Sequence, residues 1–472
     1  MVFSSLEFLF LYLPVMLLLY FMVPKKHLMW RNLVLLVTSL IFYGWGEPVY
    51  VFLMMATIAV DYVCGYLVGI YREDNPKAAK QVLIASIIIN LGILGFFKYY
   101  NFFIDNLKLI PGLGFLPTLD LELPIGISFY TFQALSYVID VYRGDGSVQK
   151  NVAAFGAYVT LYPQLIAGPI VRYHDVDEML RKRSETVMLF ASGMRTFCAG
   201  LAKKILLANV AGQMWNGYLA VPVDERTVVG AWIGMLCYTA QIYFDFSGYS
   251  DMAIGLGKML GFRFLENFNY PYIAKSITDF WRRWHISLSS WFREYVYIPL
   301  GGNRKGQFNT YRNLLIVWFL TGFWHGASWN YILWGLYYFV LLVFEKAIFG
   351  KLLPKLPTAL QHLYTMFFVI IGWLLFVFED LSAGMVWLGN MFGVGTLSFI
   401  SQSNVYDLVH SLLFFAILVL ASTPIAKKLF YRYYASSSAL RWGACIGCGL
   451  ILVITTAYLV DSSFNPFLYF RF

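Results

Sequence analysis

The chain has 472 residues, 59% of them hydrophobic, 19% aromatic and only 13% charged, with a mean hydropathy of +0.63. That balance excludes a soluble domain and describes an all-α polytopic membrane protein. A net charge of +9 would suggest a nucleic-acid partner in a soluble chain, but here Lys and Arg sit in short loops between apolar runs. That is the positive-inside bias of a protein in a lipid bilayer, so no nucleic acid is expected.

Residues 8–23 form the first apolar run, with Glu7 before it and Lys25, Lys26, His27 and Arg31 after it. This reverses the charge order of a secretory signal, so a retained span with its N-terminus outside is predicted. Residues 32–43, 49–70 and 82–100 follow as spans, and 105–122, with Pro111, Gly112, Gly114 and Pro117, reads as an external loop. Residues 125–142 carry Ser128, Thr131, Gln133, Ser136 and Asp140, as a polar-lined helix would. A full crossing by residues 152–170 would put Arg172, Arg181, Lys182 and Arg183 outside. A re-entrant helix is therefore predicted there, since broken backbone at membrane depth is tolerated where it lines a protein cavity.

Residues 188–210 exit and 228–254 re-enter. From 258 to 312 the chain is basic and aromatic without an apolar run long enough to span. It reads as cytoplasmic or interfacial, with amphipathic helices anchored by Trp281, Trp284 and Trp291. Residues 314–345 exceed one span but are broken at Gly322, Gly326 and Asn330; two short helices that dip in and return are predicted, with His325 near the turn. Residues 366–378 exit, 379–407 contain no Lys or Arg and read as an external loop, 408–421 re-enter, and 442–460 exit. The sum is about ten crossings with both termini outside. No linker, repeat or low-complexity stretch is evident, so 1–472 reads as a single domain: N-terminal spans in 1–150, a catalytic core in 151–350, and C-terminal spans with an external tail in 351–472.

The five cysteines all lie in apolar segments, which implies no disulfide framework. Cys445-Ile-Gly-Cys448 has redox or metal spacing, but its Gly and Ala neighbours favour close helix packing. Gly255-Leu-Gly-Lys-Met-Leu-Gly261 follows a helix and not a strand, so packing explains it better than a dinucleotide loop. No zinc motif, metal site or bound cofactor is expected. Gly301-Gly-Asn-Arg-Lys305 suits either a phosphate cradle, with Arg304 and Lys305 as its cations, or a solvated turn.

His285 lies among arginines and tryptophans, whereas His325 sits inside an apolar run. An ionisable group at membrane depth is costly and marks a function by default, the alternative being a structural histidine bonded between helices. Such an imidazole suits general-base chemistry or a proton relay. Arg282, Arg283 and Arg293 have the forked geometry to meet phosphate groups.

Tyr162-Pro-Gln-Leu-Ile-Ala-Gly-Pro169, Gln241-Ile-Tyr-Phe-Asp-Phe-Ser-Gly-Tyr-Ser-Asp-Met-Ala-Ile-Gly255, Asn267-Phe-Asn-Tyr-Pro-Tyr272, Asp279-Phe-Trp-Arg-Arg-Trp-His-Ile-Ser-Leu-Ser289 and Thr321-Gly-Phe-Trp-His-Gly326 together resemble the membrane-bound O-acyltransferase family, in its bacterial alginate O-acetylation branch. The resemblance implies a ring of helices, with re-entrant and interfacial pieces, around a central funnel or tunnel. It implies that His325 is the active-site histidine and His285 the second, cytoplasm-facing position. It also implies acetyl-CoA as donor, a bacterial plasma-membrane location, and a separate external acetyltransferase, of SGNH or alginate-acetylation type, that modifies the polysaccharide. A D-alanyl transferase fed by a carrier-protein thioester is the nearest rival, and a proton-coupled transporter is the rival of another class. The ending, 464–472, resembles the aromatic motif of small membrane peptides that accept the acyl group in the D-alanylation branch. Tyr469 is accordingly expected to take acetyl through His325 chemistry; the alternative is an aromatic interface anchor.

Overall fold

A computed structural model describes residues 1–434, 436–462 and 464–468. The helices, in chain order, are α1 (Phe8–Met22, opening with a π-helical turn), α2 (Leu28–Gly44), α3 (Tyr50–Asp74), α4 (Pro76–Lys108), α5 (Ile127–Arg143), α6 (Val152–Thr160), α7 (Tyr162–Leu165), α8 (Tyr173–Arg181) and α9 (Val187–Ala202). After the π-helical segment Lys203–Ala208 come α10 (Asn209–Leu219), α11 (Val228–Met259), α12 (Ile277–Trp281), α13 (Ile286–Phe292), α14 (Gly306–His325), α15 (Trp329–Ala347), α16 (Thr358–Val377), α17 (Leu381–Met391), α18 (Gln402–His410), α19 (Leu412–Ala421), α20 (Ile425–Tyr434) and α21 (Ser438–Asp461). Among the described residues no strand forms, only one isolated bridge between Thr227 and Ser398.

The all-helical expectation holds. Four helices, α3, α4, α16 and α21, are long and apolar enough to cross a membrane, and up to six do so if the bent pairs α15 with Phe349–Lys355 and α18 with α19 each count as one span. The first two runs give shorter apolar helices; 17 residues in α2 reach roughly 26 Å, short of the ~30 Å of a hydrocarbon core.

The chain divides into two compact units, Met1–Phe197 with Tyr249–Leu265, and Cys198–Gly248 with Glu266–Phe472. In the first, nearly all of α5 is buried, as its polar lining requires: Ser136 bonds Tyr158, and His174 meets the Asp140 carboxylate at 2.9 Å. Residues 152–170 break at Leu161 into α6 and the four-residue α7, neither long enough to cross. Glu185 joins Arg31 at 2.7 Å and Tyr20 at 2.5 Å in a buried cluster. Gly193 and Gly255 approach so closely that a Cβ on either would strike the other's carbonyl oxygen; the glycine run after 255 begins as a packing surface.

In the second unit α14 and α15 form a hairpin. At Gly322 a Cβ would run into the Tyr331 carbonyl oxygen, and at Gly335 into that of Trp318, so main chain lies against main chain. The helices have 20 and 19 residues, longer than the two short pieces expected. The polar residues Asn309, Arg312 and Asn313 interrupt the hydropathy signal but not the helix. Residues 379–407 are not a plain loop either. Asp380 caps α17, and a reciprocal Ser401–Asn404 capping box starts α18. In the Cys445–Cys448 region, Gly443, Gly447 and Gly449 meet nothing within 4 Å, whereas the Cys448 thiol meets that of Cys198.

Candidate active site

Both histidines belong to the second unit and line one cavity of about 220 Å³. Its wall is built from Trp281, Arg282, Trp284, Leu288, Phe292, Arg293, Trp318 and Thr321 beside the two imidazoles.

His325 is the last residue of α14. The helix stops there because Gly326 is fully extended, and a Cβ at Gly326 would strike the Tyr331 ring. The imidazole is 3% exposed and is boxed edge-on by Trp334 at 5.0 Å and Phe376 at 5.3 Å. Asn330, at the start of α15, donates its side-chain amide to the Phe376 carbonyl at 3.1 Å and ties this box to α16.

His285 sits between α12 and α13 with φ 44° and ψ 54°. A left-handed backbone is uncommon for a residue with a Cβ and concentrates at functional positions. Asn267 holds the turn: its carbonyl accepts the Ile286 N–H at 3.0 Å, and its side-chain oxygen accepts from the Ser287 N–H at 3.2 Å and hydroxyl at 2.9 Å. The same oxygen lies 3.1 Å from His285 Nδ1. An amide oxygen only accepts, so Nδ1 carries the proton and Nε2 is the basic nitrogen. Burial pushes the pKa down to about 3, which keeps this imidazole neutral at working pH. Phe246 meets it edge-on at 4.7 Å and Trp324 at 6.0 Å.

Glu345, 4% exposed, anchors the start of α12. One carboxylate oxygen accepts the Ile277 N–H at 2.6 Å; the other accepts the Thr278 N–H at 2.9 Å and hydroxyl at 2.7 Å. That contact orients the short helix that leads to Arg282. Sequence reasoning quoted Asn267 only as the head of a family motif, without a role, and gave Glu345 none.

The sequence-chosen cations separate. Arg282 and Arg293 are exposed and line the cavity. Arg283 does not: it is paired with Asp279 at 2.9 Å and bonded to the Asn269 carbonyl at 3.2 Å. Arg304 and Lys305 are exposed in the turn before α14, outside the cavity lining. The tryptophans expected as interface anchors pack against other rings. Trp284 and Trp291 are buried, Trp284 packs on Trp373 at 4.6 Å, and Trp281 packs on Trp318 and Tyr338, each at 4.7 Å. Tyr469 lies outside the described residues.

A small, mostly aromatic chamber with two imidazoles inside and two guanidinium groups at its wall suits transfer of a small acyl group from a large anionic donor. Among the described residues no three His, Cys, Asp or Glu side chains gather as a metal site would need. The family model for membrane-bound O-acyltransferases matches residues 147–387. The chain is 45% identical to the probable alginate O-acetylase AlgI of Pseudomonas aeruginosa over 89% of this chain and 81% of that protein. It is 42% identical to the protein of the same name from Pseudomonas putida over the full length of both. With the peptidoglycan O-acetyltransferase of Helicobacter pylori it shares 32% identity over all of this chain and 98% of the relative.

Proposed function

We propose, from the premise that the chain belongs to the membrane-bound O-acyltransferase family and is a multi-pass membrane enzyme, that it moves acetyl groups from cytoplasmic acetyl-CoA outward for O-acetylation of an extracellular or cell-wall polysaccharide. The observation that carries this reading is the joint presence of His285, His325, Arg282 and Arg293 in one cavity. The names of the relatives, an alginate O-acetylase and a peptidoglycan O-acetyltransferase, support the choice of acetyl and of a polysaccharide destination.

In this mechanism Arg282 and Arg293 meet the phosphates of the coenzyme, with charge-assisted, forked hydrogen bonds. The thioester carbonyl enters the aromatic chamber. His325 takes the proton from an acceptor hydroxyl as the oxygen attacks the acetyl carbon; the C–O bond forms, the C–S bond breaks, and the leaving thiolate takes up the proton. Neutral His285, with its Nδ1 proton fixed on Asn267, serves the donor side. Acetyl-CoA is thus a substrate and no resident cofactor is required.

Tyr469 is the proposed first acceptor, handing acetyl to an external acetyltransferase that modifies the polymer. The same proposal places the enzyme in a bacterial plasma membrane with about ten crossings and both termini outside; the alternation of basic and non-basic loops supports it.

The test is the purified enzyme in proteoliposomes with radiolabelled acetyl-CoA, followed by mass spectrometry of the peptide containing Tyr469. Release of free thiol with an acetyl ester on Tyr469 is expected. Labelling only from a carrier-protein thioester would shift the reading to the D-alanyl branch, and solute flux without any acyl donor would shift it to a transporter.

A further inference from the structure

Lys204 and Asp245 form an ion pair at 2.6 Å with each side chain only 2% exposed. Two charges taken out of water are held at a cost that pairing alone rarely recovers, and in a membrane protein such groups mark a function. The remaining valences of this pair point to one partner. Lys204 Nζ also donates to the Pro466 carbonyl, and the second oxygen of Asp245 accepts the Leu468 N–H at 3.0 Å. One donor and one acceptor therefore read the main chain of the segment that follows α21.

Neighbouring contacts fix the same segment. Asn209 donates to the Asn465 side chain at 3.2 Å, Gln213 donates to Ser462 at 3.3 Å, and Phe467 is buried with Lys204 6.0 Å from its ring centre. Lys204 belongs to the π-helical segment Lys203–Ala208, and Asn209 follows it directly. A π-segment displaces side chains from helical register and recurs at functional sites. Asp245 is in turn adjacent in α11 to Phe246, whose ring rests edge-on against His285.

We infer that the Lys204–Asp245 pair is a built docking site for the peptide backbone at 465–468, and that acetyl transfer depends on this hold. This rests on the reading of Tyr469 as acetyl acceptor, because a carrier hydroxyl must be presented in one geometry for transfer. A misplacement of about 1 Å can cost ~10²-fold in rate. Lys204 and Asp245 are positioning residues: neither is asked to touch the acetyl group.

The experiment uses the full-length enzyme with Lys204→Met/Asp245→Leu, which removes both charges together and avoids stranding one in the interior. Hydrogen exchange read by mass spectrometry reports the Leu468 amide, and acetyl-CoA binding and acetyl transfer are measured on the same preparations. Expected are exchange at Leu468 faster by about tenfold or more, acetyl transfer lower by about tenfold or more, and acetyl-CoA affinity unchanged; Lys204→Arg should restore part of both losses. A Leu468 amide as protected in the double variant as in the wild type overturns the docking site, as does full activity in that variant when Tyr469→Phe is inactive. If exchange accelerates while Tyr469→Phe stays fully active, the dock stands and the acceptor reading falls. If Tyr469→Phe is inactive but the double variant is normal, the acceptor stands and the dock falls.

Discussion

His285 and His325 line one cavity in different surroundings. His285 is fixed by a polar lattice centred on Asn267, which dictates the position of its proton. His325 is boxed by the ring edges of Trp334 and Phe376, which set the plane of the imidazole. A hydrogen-bond lattice selects a tautomer, whereas an aromatic box gives orientation. In the proposed mechanism His325 transfers the proton and His285 stays neutral.

The sharpest way to break this comparison is His325→Ala. Acetyl transfer should fall by about 10²–10⁴-fold while the protein still accumulates in the membrane, and His325→Gln should do no better because it keeps shape but not basicity. Normal turnover of labelled acetyl-CoA in either variant removes His325 from the chemistry.

Next in size is Asn267→Ala, which frees the His285 tautomer and strips two further donors, the Ser287 N–H and hydroxyl, of their acceptor. A stability loss of about 1–3 kcal/mol is expected for buried groups left unsatisfied, together with about a tenfold fall in activity. Asn267→Asp would place a carboxylate against the imidazole and favour its charged form, so the acid limb of the pH–rate profile should move to higher pH. A profile unchanged in Asn267→Asp would show that His285 does not report on turnover.

Smaller effects distinguish the arginines. Arg282→Ala and Arg293→Ala should each raise KM for acetyl-CoA by several-fold, on the order of 1–2 kcal/mol for a charge-assisted contact. Arg283→Ala should leave KM unchanged, because its guanidinium is engaged by Asp279. Equal effects at all three positions would place the donor elsewhere.

The mildest test is pH. The folded pKa of His285, about 3, lies below its unfolded value of about 6.5, so the unfolded chain binds the proton first. Its contribution to stability is intact above 6.5 and is lost as pH falls towards 3; between pH 7 and 5 the loss amounts to about 2 kcal/mol. His285→Gln should flatten that part of the thermal-unfolding curve. An unchanged slope in the variant would show that His285 is hydrated in solution.

The sequence made some of this legible and hid the rest for physical reasons. His325 stood out because a titratable residue followed by Gly326 interrupts an apolar run, and local chemistry suffices to see that. The roles of Asn267 and Glu345 did not stand out, because their partners lie 18 and 68 residues away and no local pattern encodes such pairings. The buried tryptophans were misread because an aromatic, basic segment has the same composition whether its rings face lipid headgroups or other rings. Helix existence was readable from hydropathy, but length was not. The polar residues at the start of α14 lower hydropathy without breaking backbone bonds, and the lack of Lys and Arg at 379–407 says nothing against helices capped by Asp380 and Ser401.

The hairpin of α14 and α15 has a consequence for selection experiments. At Gly322 and Gly335 the space a first side-chain carbon would need is filled by the carbonyl oxygens of the opposite helix, and those atoms are common to every amino acid. Shrinking a neighbouring side chain therefore cannot make room. In a genetic screen that starts from Gly322→Ala and demands restored activity, the survivors should be true revertants at codon 322, with compensating changes elsewhere in the hairpin rare or missing. At Gly69, where the obstructing atoms belong to the Val148 side chain, a Gly69→Ala screen should by contrast yield second-site suppressors.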